Sequence, residues 1–469
     1  MPAETLDSLD KDSLKPLVLQ LLSRIDTLVE RNSELAERIK TLLARIAELE
    51  ARAGQPPKTP SNSSLPPSSG RKANVAVAPR AKKGRKGRPG AARTLCENPD
   101  ATRDILVDRC ACGAALSAAD QPQVFAYDHI DLPPIKPVTT RINLHKGQCP
   151  CCKTRVAAKP PADMMPGSPF GPGIVALVTY LHACQMVGYA RMTEVLDGLF
   201  GVKLSEGAIA NMLARAEKPF AERAGEIAQI VRNSDVIASD ETSARVAGKS
   251  HWQWTFVAST GVYHTIAPTR GKAVPTEFLG QAKPKVWLSD RLAAQGKHAA
   301  AHQYCLAHLI RDAQYAIDAG DTVFAPDFKS FLQDACAVGR RRPDLADATI
   351  KAYERRLQRE LDRLLELKPT AAAGRHLRDA MIVDARDKLL VFLKRRDIEP
   401  TNNASERALR PSVIFRKVTN GFRSAWGAKV YADICSIVAT GRLAGRSALA
   451  SIRAALKTPA APAVDAAPA

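Results

Sequence analysis

A leucine recurs at every seventh residue of the N-terminal segment: Leu14, Leu21, Leu28, Leu35, Leu42 and Leu49. Three positions before the last five stand Val18, Ile25, Asn32, Ile39 and Ile46. β-Branched residues at a, leucine at d and a single asparagine at an a position favour a parallel two-stranded coiled coil, with the buried amide pair fixing its register. An ordinary amphipathic helix packed on its own core rarely keeps so regular a seam. Pro16 falls in the first turn, where the missing N–H costs nothing. Segment 1–53 is therefore expected to pair with a second copy of the chain, as a homodimer or higher oligomer, with the repeat from Leu14 to Leu49 spanning about 54 Å of helix.

At 469 residues the chain is too long for one core, and 45% hydrophobic residues are enough for several. No apolar run reaches bilayer length, and the N-terminus (MPAETLDSLDKDS) is polar and acidic, unlike a secretory signal. The expected location is the cytoplasm, with no membrane partner and association with the nucleoid when DNA is bound. The formal charge is +20, from 68 Lys+Arg against 48 Asp+Glu, which points to a polyanionic partner. Ten cysteines in a reducing compartment argue against a disulfide framework and turn attention to metal binding where they cluster.

From residue 54 to 94 the periodicity stops and Pro, Ser and Gly dominate, the composition of a disordered linker. Its second half carries Arg80, Lys82, Lys83, Arg85, Lys86 and Arg88 among glycines. Such a run either lies along DNA phosphates or is simply solvated. In segment 95–160, Cys110 and Cys112 precede Cys149, Cys151 and Cys152. Two close cysteine pairs beside turn residues suit a tetrahedral Zn²⁺ site of Cys110, Cys112, Cys149 and Cys152, stapling a small module of short strands around proline turns. Segment 161–232 reads as helical, with one break at Phe200-Gly201 and an N-cap at Ser205. That outline fits a DNA-reading helix-turn-helix or a packed helical hairpin.

At Asn233 the period changes to two. VIASDETSARV, HWQWTFVAS and VYHTIAPT read as strands, TEFLGQA as a helix and KVWLSD as a fourth strand. The order β-β-β-α-β, with Asp240 in the first strand and Asp290 ending the fourth, is a ribonuclease H-like topology. Asp240 and Glu241 are neighbours on a strand and point to opposite faces, so only one can share a site with Asp290. Carboxylates gathered there suit phosphodiester chemistry, in which two Mg²⁺ ions activate the nucleophile and stabilise the leaving oxygen. Two aspartates are too few for two ions, and Glu406 in PTNNASERALRPS is the candidate third. Its spacing from Asn403 also fits a capping box, and from Arg410 an i, i+4 ion pair.

The stretches SDETSARV, VWLSDR, HQYCLAHLIRDAQ and TNNASERALRPSVIFRKVTNGFRSAWGAKVYADICSIVATGRLAG resemble the insertion sequence 66 family of bacterial DDE transposases. So do the leading zipper, PPKTPSNSSLPPSSG and the cysteine module, in the same order. The resemblance implies an acidic triad of Asp240, Asp290 and Glu406 holding Mg²⁺. It implies cleavage at the element's ends and strand transfer into target DNA, with terminal inverted repeats, target DNA and accessory proteins as partners. Arg407, Arg410, Arg416, Lys417 and Arg423 would then hold phosphates. Cys305 and His308 match a Cys/His pair of the family, read either as metal ligands or as core. The expected architecture is a multidomain α+β chain. Its coiled coil, linker, zinc module and helical DNA-binding region precede a ribonuclease H-like α/β core at 233–312. A helical insertion at 313–398 and a catalytic helix with C-terminal helices at 399–456 follow, then a disordered tail at 457–469. Rival readings are a DNA-binding regulator with an inactive core of that fold, and a general nuclease.

Overall fold

The computed structural model describes residues 11–53, 55–63, 93–161, 164 and 166–456. The chain divides into two compact units, one of Met1–Arg71, Ser234–Asp240 and Gly271–Ser405, the other of Lys72–Asn233, Glu241–Arg270 and Glu406–Ala469. Helix α1 (Lys11–Ala53) covers the leucine repeat. Among the described residues no helix is long and apolar enough to cross a membrane.

In the first unit three parallel strands form the frame. They are the first half of β3 (Val236–Val246), β6 (Val286–Ser289) and β7 (Ala301–Tyr304). Helix α6 (Ala273–Leu279) leads into β6, in the order read from the sequence. Behind the strands, α7 (Leu306–Asp318), α8 (Ala325–Arg341), α9 (Asp347–Leu365) and α10 (Ala372–Ala380) bury one continuous apolar cluster. Phe324, Phe328 and Phe331 stack in it at centroid distances of 4.9 and 6.0 Å. Each such ring contributes about 1.5–3 kcal/mol by leaving water. Arg342 is also buried there, 2% exposed, and donates to the carbonyls of Phe392, Ile398, Arg396 (2.7 Å) and Arg395 (3.2 Å).

The segment after α1, expected to be disordered from residue 54, is held over residues 55–63. Asn62 is buried and donates to Asp318 on α7 (2.9 Å), while its Oδ1 accepts from the amide of Thr59 (2.7 Å). Composition suggested a linker, but one asparagine closing a turn on a helix carboxylate is enough to hold it. The basic run from Arg80 to Arg88 and the C-terminal tail lie outside the described residues.

In the second unit, β4 (Lys249–Val257) and β5 (Val262–Ala267) pair antiparallel, with Trp254 opposite Thr265. Trp254 and Phe256 are buried on one face, and Gln253 and Thr255 on the other. The full strand order is β5-β4-β3-β6-β7. β5 is an edge strand whose amides are taken by a helix: Val262 N donates to Thr440 (3.0 Å) and His264 N to Ser436 (2.8 Å) of α12 (Ala425–Leu443). Hydroxyls on a helix thus finish an edge that would otherwise recruit another strand. Burial pushes the His264 imidazole down to about 3, so it stays neutral in this core.

The helical region forms α2 (Pro172–Ala183), α3 (Tyr189–Phe200), α4 (Glu206–Arg215) and α5 (Glu217–Arg232). Val178, Met192, Leu196, Ile209, Met212 and Leu213 make the core of the first three. Ser205 caps α4 by accepting from the amide of Ala208 (3.1 Å), and Gly201 ends α3 at φ 66°. The sequence showed a single break; the structure adds one at 184–188, where Met186 takes φ 60°, and another at Ala216 between α4 and α5.

The cysteine module is sparser than expected. Its only pairing longer than a single bridge among the described residues joins β1 (Lys146–Gln148) to β2 (Arg155–Ala157). Residues 122–145, read as strands, are exposed and without regular structure. Pro133, Pro134 and Pro137 offer no amide for a ladder there.

Candidate active site

The parallel frame sets the first two carboxylates by register. Val236 pairs with Val286, which pairs in turn with Ala301, and Ala238 pairs with Leu288, which pairs with Gln303. The same offsets, continued in sequence past the last pairs, would align Asp240, Asp290 and Cys305 as a row at the carboxyl ends of three adjacent strands. Adjacent strands in a sheet stand about 4.8 Å apart. Asp240 and Asp290 are both half-buried. Outside the carboxyl ends of parallel strands is where open α/β sheets bind their ligands.

Local bonds hold Asp290 at the turn. Its Oδ1 accepts from the amide of Leu292 (3.0 Å), and Ser289 Oγ donates to the Asp290 carbonyl (2.7 Å). Ser289 Oγ also lies 2.9 Å from His302 Nε2 on the opposite face of β7. Burial pushes His302 down to about 4, so at neutral pH that ring is an uncharged prop.

Glu241 goes the other way, as strand alternation requires. Its side chain is 1% exposed and bound by Arg270 through Nε (2.8 Å) and a terminal nitrogen (2.7 Å). The guanidinium lies 4.8 Å over the Trp252 ring. Glu241 is thus a structural ion-pair partner. Glu241→Gln should lower stability by about 1–3 kcal/mol, the scale of a weakened charge-assisted bond. Urea unfolding checks it: an unchanged midpoint would show that the pair holds nothing.

Glu406 stands in the first turn of α11 (Asn403–Thr419), half-buried, with its Oε1 oxygen buried. The capping box expected from Asn403 is not formed as read. The helix starts at Asn403, so the preceding residue is Asn402, which places Ser405 at the third helical position. Asn402 spends its side chain elsewhere, donating Nδ2 to the Ser239 carbonyl (2.7 Å), while its backbone amide donates to Cys305 Sγ (3.1 Å). Cys305 is 1% exposed and packs at the start of α7, which is the core reading rather than a metal ligand's.

Among the described residues no three His, Cys, Asp or Glu side chains stand together as a metal-holding group. The Asp240–Asp290 pair nonetheless offers the donors a hard cation prefers, carboxylate oxygens at a half-open strand end. Asn402, which donates Nδ2 to the Ser239 carbonyl next in sequence to Asp240, leaves its Oδ1 buried without a hydrogen-bond donor. Carboxylates and a free amide oxygen acceptor are the donor types a hydrated hard cation takes.

The zinc expectation does not fare as well. Cys110 and Cys112 sit in one turn, closed by Cys110 N to Ala114 O and Gly113 N to Cys110 O, both 2.9 Å. Cys149 and Cys152 sit in another, closed by Cys149 N to Thr154 O (2.9 Å). Each pair sits in its own turn, and among the described residues no three of Cys110, Cys112, Cys149 and Cys152 are gathered into a metal-holding group. The unpaired stretch between them has no ladder to bring the turns together. What the second turn does provide is a reactive thiol. Thr154, with its hydroxyl 3.3 Å away, holds Cys152 down to about 7. Burial pushes Cys184 up to about 11 and Cys435 up to about 12. Alkylation of Cys152 should therefore rise with pH and level off above about 7, while Cys184 and Cys435 stay inert at neutral pH. Mass spectrometry of labelled peptides reads this, and equal labelling of all three at pH 7 would contradict it.

Of the arginines and lysines expected near phosphate, Arg407, Arg410, Lys417 and Arg423 are exposed. Arg416 is already engaged, donating to both the carbonyl and the hydroxyl of Ser243 on β3. Nearby, Phe422 N donates to Arg245 O (2.8 Å) at a turn where Gly421 takes φ 104°. A Cβ on Gly421 would stand 2.6 Å from that same carbonyl, so only glycine fits. Sequence reasoning missed Asn402, Arg342 and strand β7. The doubled Asn402-Asn403 before a helix was the one local signal that pointed to any of them.

A sequence model described as Transposase IS66 family matches residues 167–430, more than half of the chain. The chain is a member of the IS66 transposase family. No curated protein matches it.

Proposed function

We propose that this transposase is of the DDE type, cutting the ends of its insertion sequence and joining them to target DNA. What supports the reading is the parallel register of β3 and β6, two residues beyond whose last pair, Ala238 and Leu288, come Asp240 and Asp290. The strand order β5-β4-β3-β6-β7, with β4 and β5 antiparallel and β3, β6 and β7 parallel, supports a ribonuclease H-like core. Asp240, Asp290 and Glu406 would hold Mg²⁺, which when bound activates the attacking oxygen and offsets charge on the phosphate. The rest falls to the chain itself. The Glu241–Arg270 pair holds the neighbouring residue of β3 as a structural contact. Exposed Arg407 and Arg410, beside Glu406, supply charge-assisted bonds to phosphate oxygens. The basic run Arg80–Arg88 would track the backbone, and the capped turn between α3 and α4 is the candidate reader of the inverted repeats. The experiment is incubation of a labelled element end with the chain, Mg²⁺ and the element's accessory proteins. Release of a 3′-hydroxyl at the element boundary supports the reading, and cleavage without regard to the end sequence contradicts it.

The zipper belongs to the same proposal. Val18, Leu21, Ile25, Leu28, Leu35 and Ile39 are each about half exposed on α1 in the single chain, from 49% to 57%. A stripe of that kind is covered in a coiled-coil dimer. Placing lysines at both Leu21 and Leu28 should turn a dimer of the full chain into a monomer at micromolar concentration. Sedimentation that gives the same mass for both forms would refute pairing through this helix.

A further inference from the structure

The ladder between β3 and β6 stops at Ala238–Leu288, leaving the next β3 carbonyl, that of Ser239, to another partner. Asn402 is that partner, with Nδ2 at 2.7 Å. The Ser239 carbonyl belongs to the same peptide plane as the Asp240 nitrogen, so this bond sets the direction in which the Asp240 side chain leaves the strand. Asn402 is 1% exposed, and its own amide donates to Cys305 Sγ (3.1 Å), the third member of the row containing Asp240 and Asp290. The adjoining backbone is tied as well, since Leu306 N donates to Pro400 O (3.0 Å). Asn402 is thus bonded to two strand ends, through Ser239 O and Cys305 Sγ, and Glu406 follows it in the first turn of α11.

We propose that Asn402 is a positioning residue of the carboxylate site, clamping the peptide that aims Asp240 to the start of the helix that carries Glu406. The inference rests on the reading of Asp240 and Asp290 as ion ligands. Groups that orient metal ligands without touching the metal typically count for 10–100-fold in affinity. The probe is Mn²⁺, followed by its electron paramagnetic resonance signal on the full-length chain without DNA. Asn402→Ala should weaken Mn²⁺ binding by about 10–100-fold and raise the Mg²⁺ needed for half-maximal end cleavage by a similar factor. Saturating Mg²⁺ should restore the cleavage rate of Asn402→Ala but not that of Asp240→Asn, and metal-free binding to element ends should be unchanged in both. A merely structural loss would lower the active fraction without moving the Mg²⁺ midpoint. Should Asn402→Ala fail to fold, Cys305→Ala decides the matter, because it removes only the sulfur acceptor of the Asn402 amide. It should shift the Mn²⁺ affinity in the same direction by about threefold or more. Wild-type Mn²⁺ binding with an unmoved affinity in the folded variant overturns this inference alone. A wild-type chain that neither binds Mn²⁺ nor cleaves its ends removes the ion-ligand reading beneath it.

Discussion

Asp240→Asn and Asp290→Asn are each expected to reduce end cleavage by at least about 10²–10³-fold, the scale on which one preorganised charge-stabilising group counts. Both substitutions keep the shape of the side chain and remove its charge. A neutral amide oxygen is a poor ligand for a hard divalent cation, which draws its affinity from negative oxygens. Neither change should unfold the chain. The two carboxylates are half-buried at strand ends, and the parallel frame is built from Val286, Trp287 and Leu288 and their neighbours rather than from these side chains. Mobility shift with labelled ends and thermal unfolding provide the controls. Loss of end binding together with cleavage would mean that the aspartates serve the fold or the DNA contact instead.

Arg342→Met is the substitution expected to cost most in stability, about 3–5 kcal/mol. Arg342 is buried, and its fork reaches four backbone carbonyls between Phe392 and Ile398. Burial pulls its pKa down, and Glu399 opposes that pull. Methionine fills much of the same volume but leaves the carbonyls without donors, each a penalty of about 1–3 kcal/mol unless water reaches it. Arg396 would lose its anchor as well, since it donates to the Arg342 carbonyl (2.8 Å). Lysine is no substitute, because one ammonium cannot span acceptors placed for a planar fork. Because this segment runs directly into Pro400 and Asn402, the loss should reach the carboxylate site. Urea titration measures it, and a change under about 1 kcal/mol would show that the segment holds itself.

The parts of the fold that were legible in the sequence are those fixed by periodicity. The heptads of α1, the alternation in β3, β4 and β5, the Ser205 cap and the carboxylates of β3 and β6 all express local patterns. Strand β7 does not: AHQY has no apolar alternation, and Gln303 is buried because it bridges the Leu389 carbonyl and the Phe392 amide. The turn at 55–63 reads as linker by composition, and only the distant Asp318 gives Asn62 a reason to be buried. The cysteine pairs reveal the opposite limit. Spacing foretold two tight turns, but bringing them together depends on the chain between, and its prolines and exposed side chains build no ladder. At the site, strand alternation accounts for Glu241 turning to Arg270, whereas the bonds of Asn402 to Ser239 and Cys305 follow from no local pattern.

The most direct test of the account compares two neutralised glutamates in one assay of 3′-end cleavage with Mg²⁺. Glu406→Gln should bind element ends and fold like the wild type yet cleave at least about 10²-fold more slowly. Glu241→Gln, on the opposite face of β3 and bound to Arg270, should cleave at close to the wild-type rate at temperatures where it is folded. Substantial cleavage by Glu406→Gln, or its loss in folded Glu241→Gln, would contradict the carboxylate assignment on which the site is built.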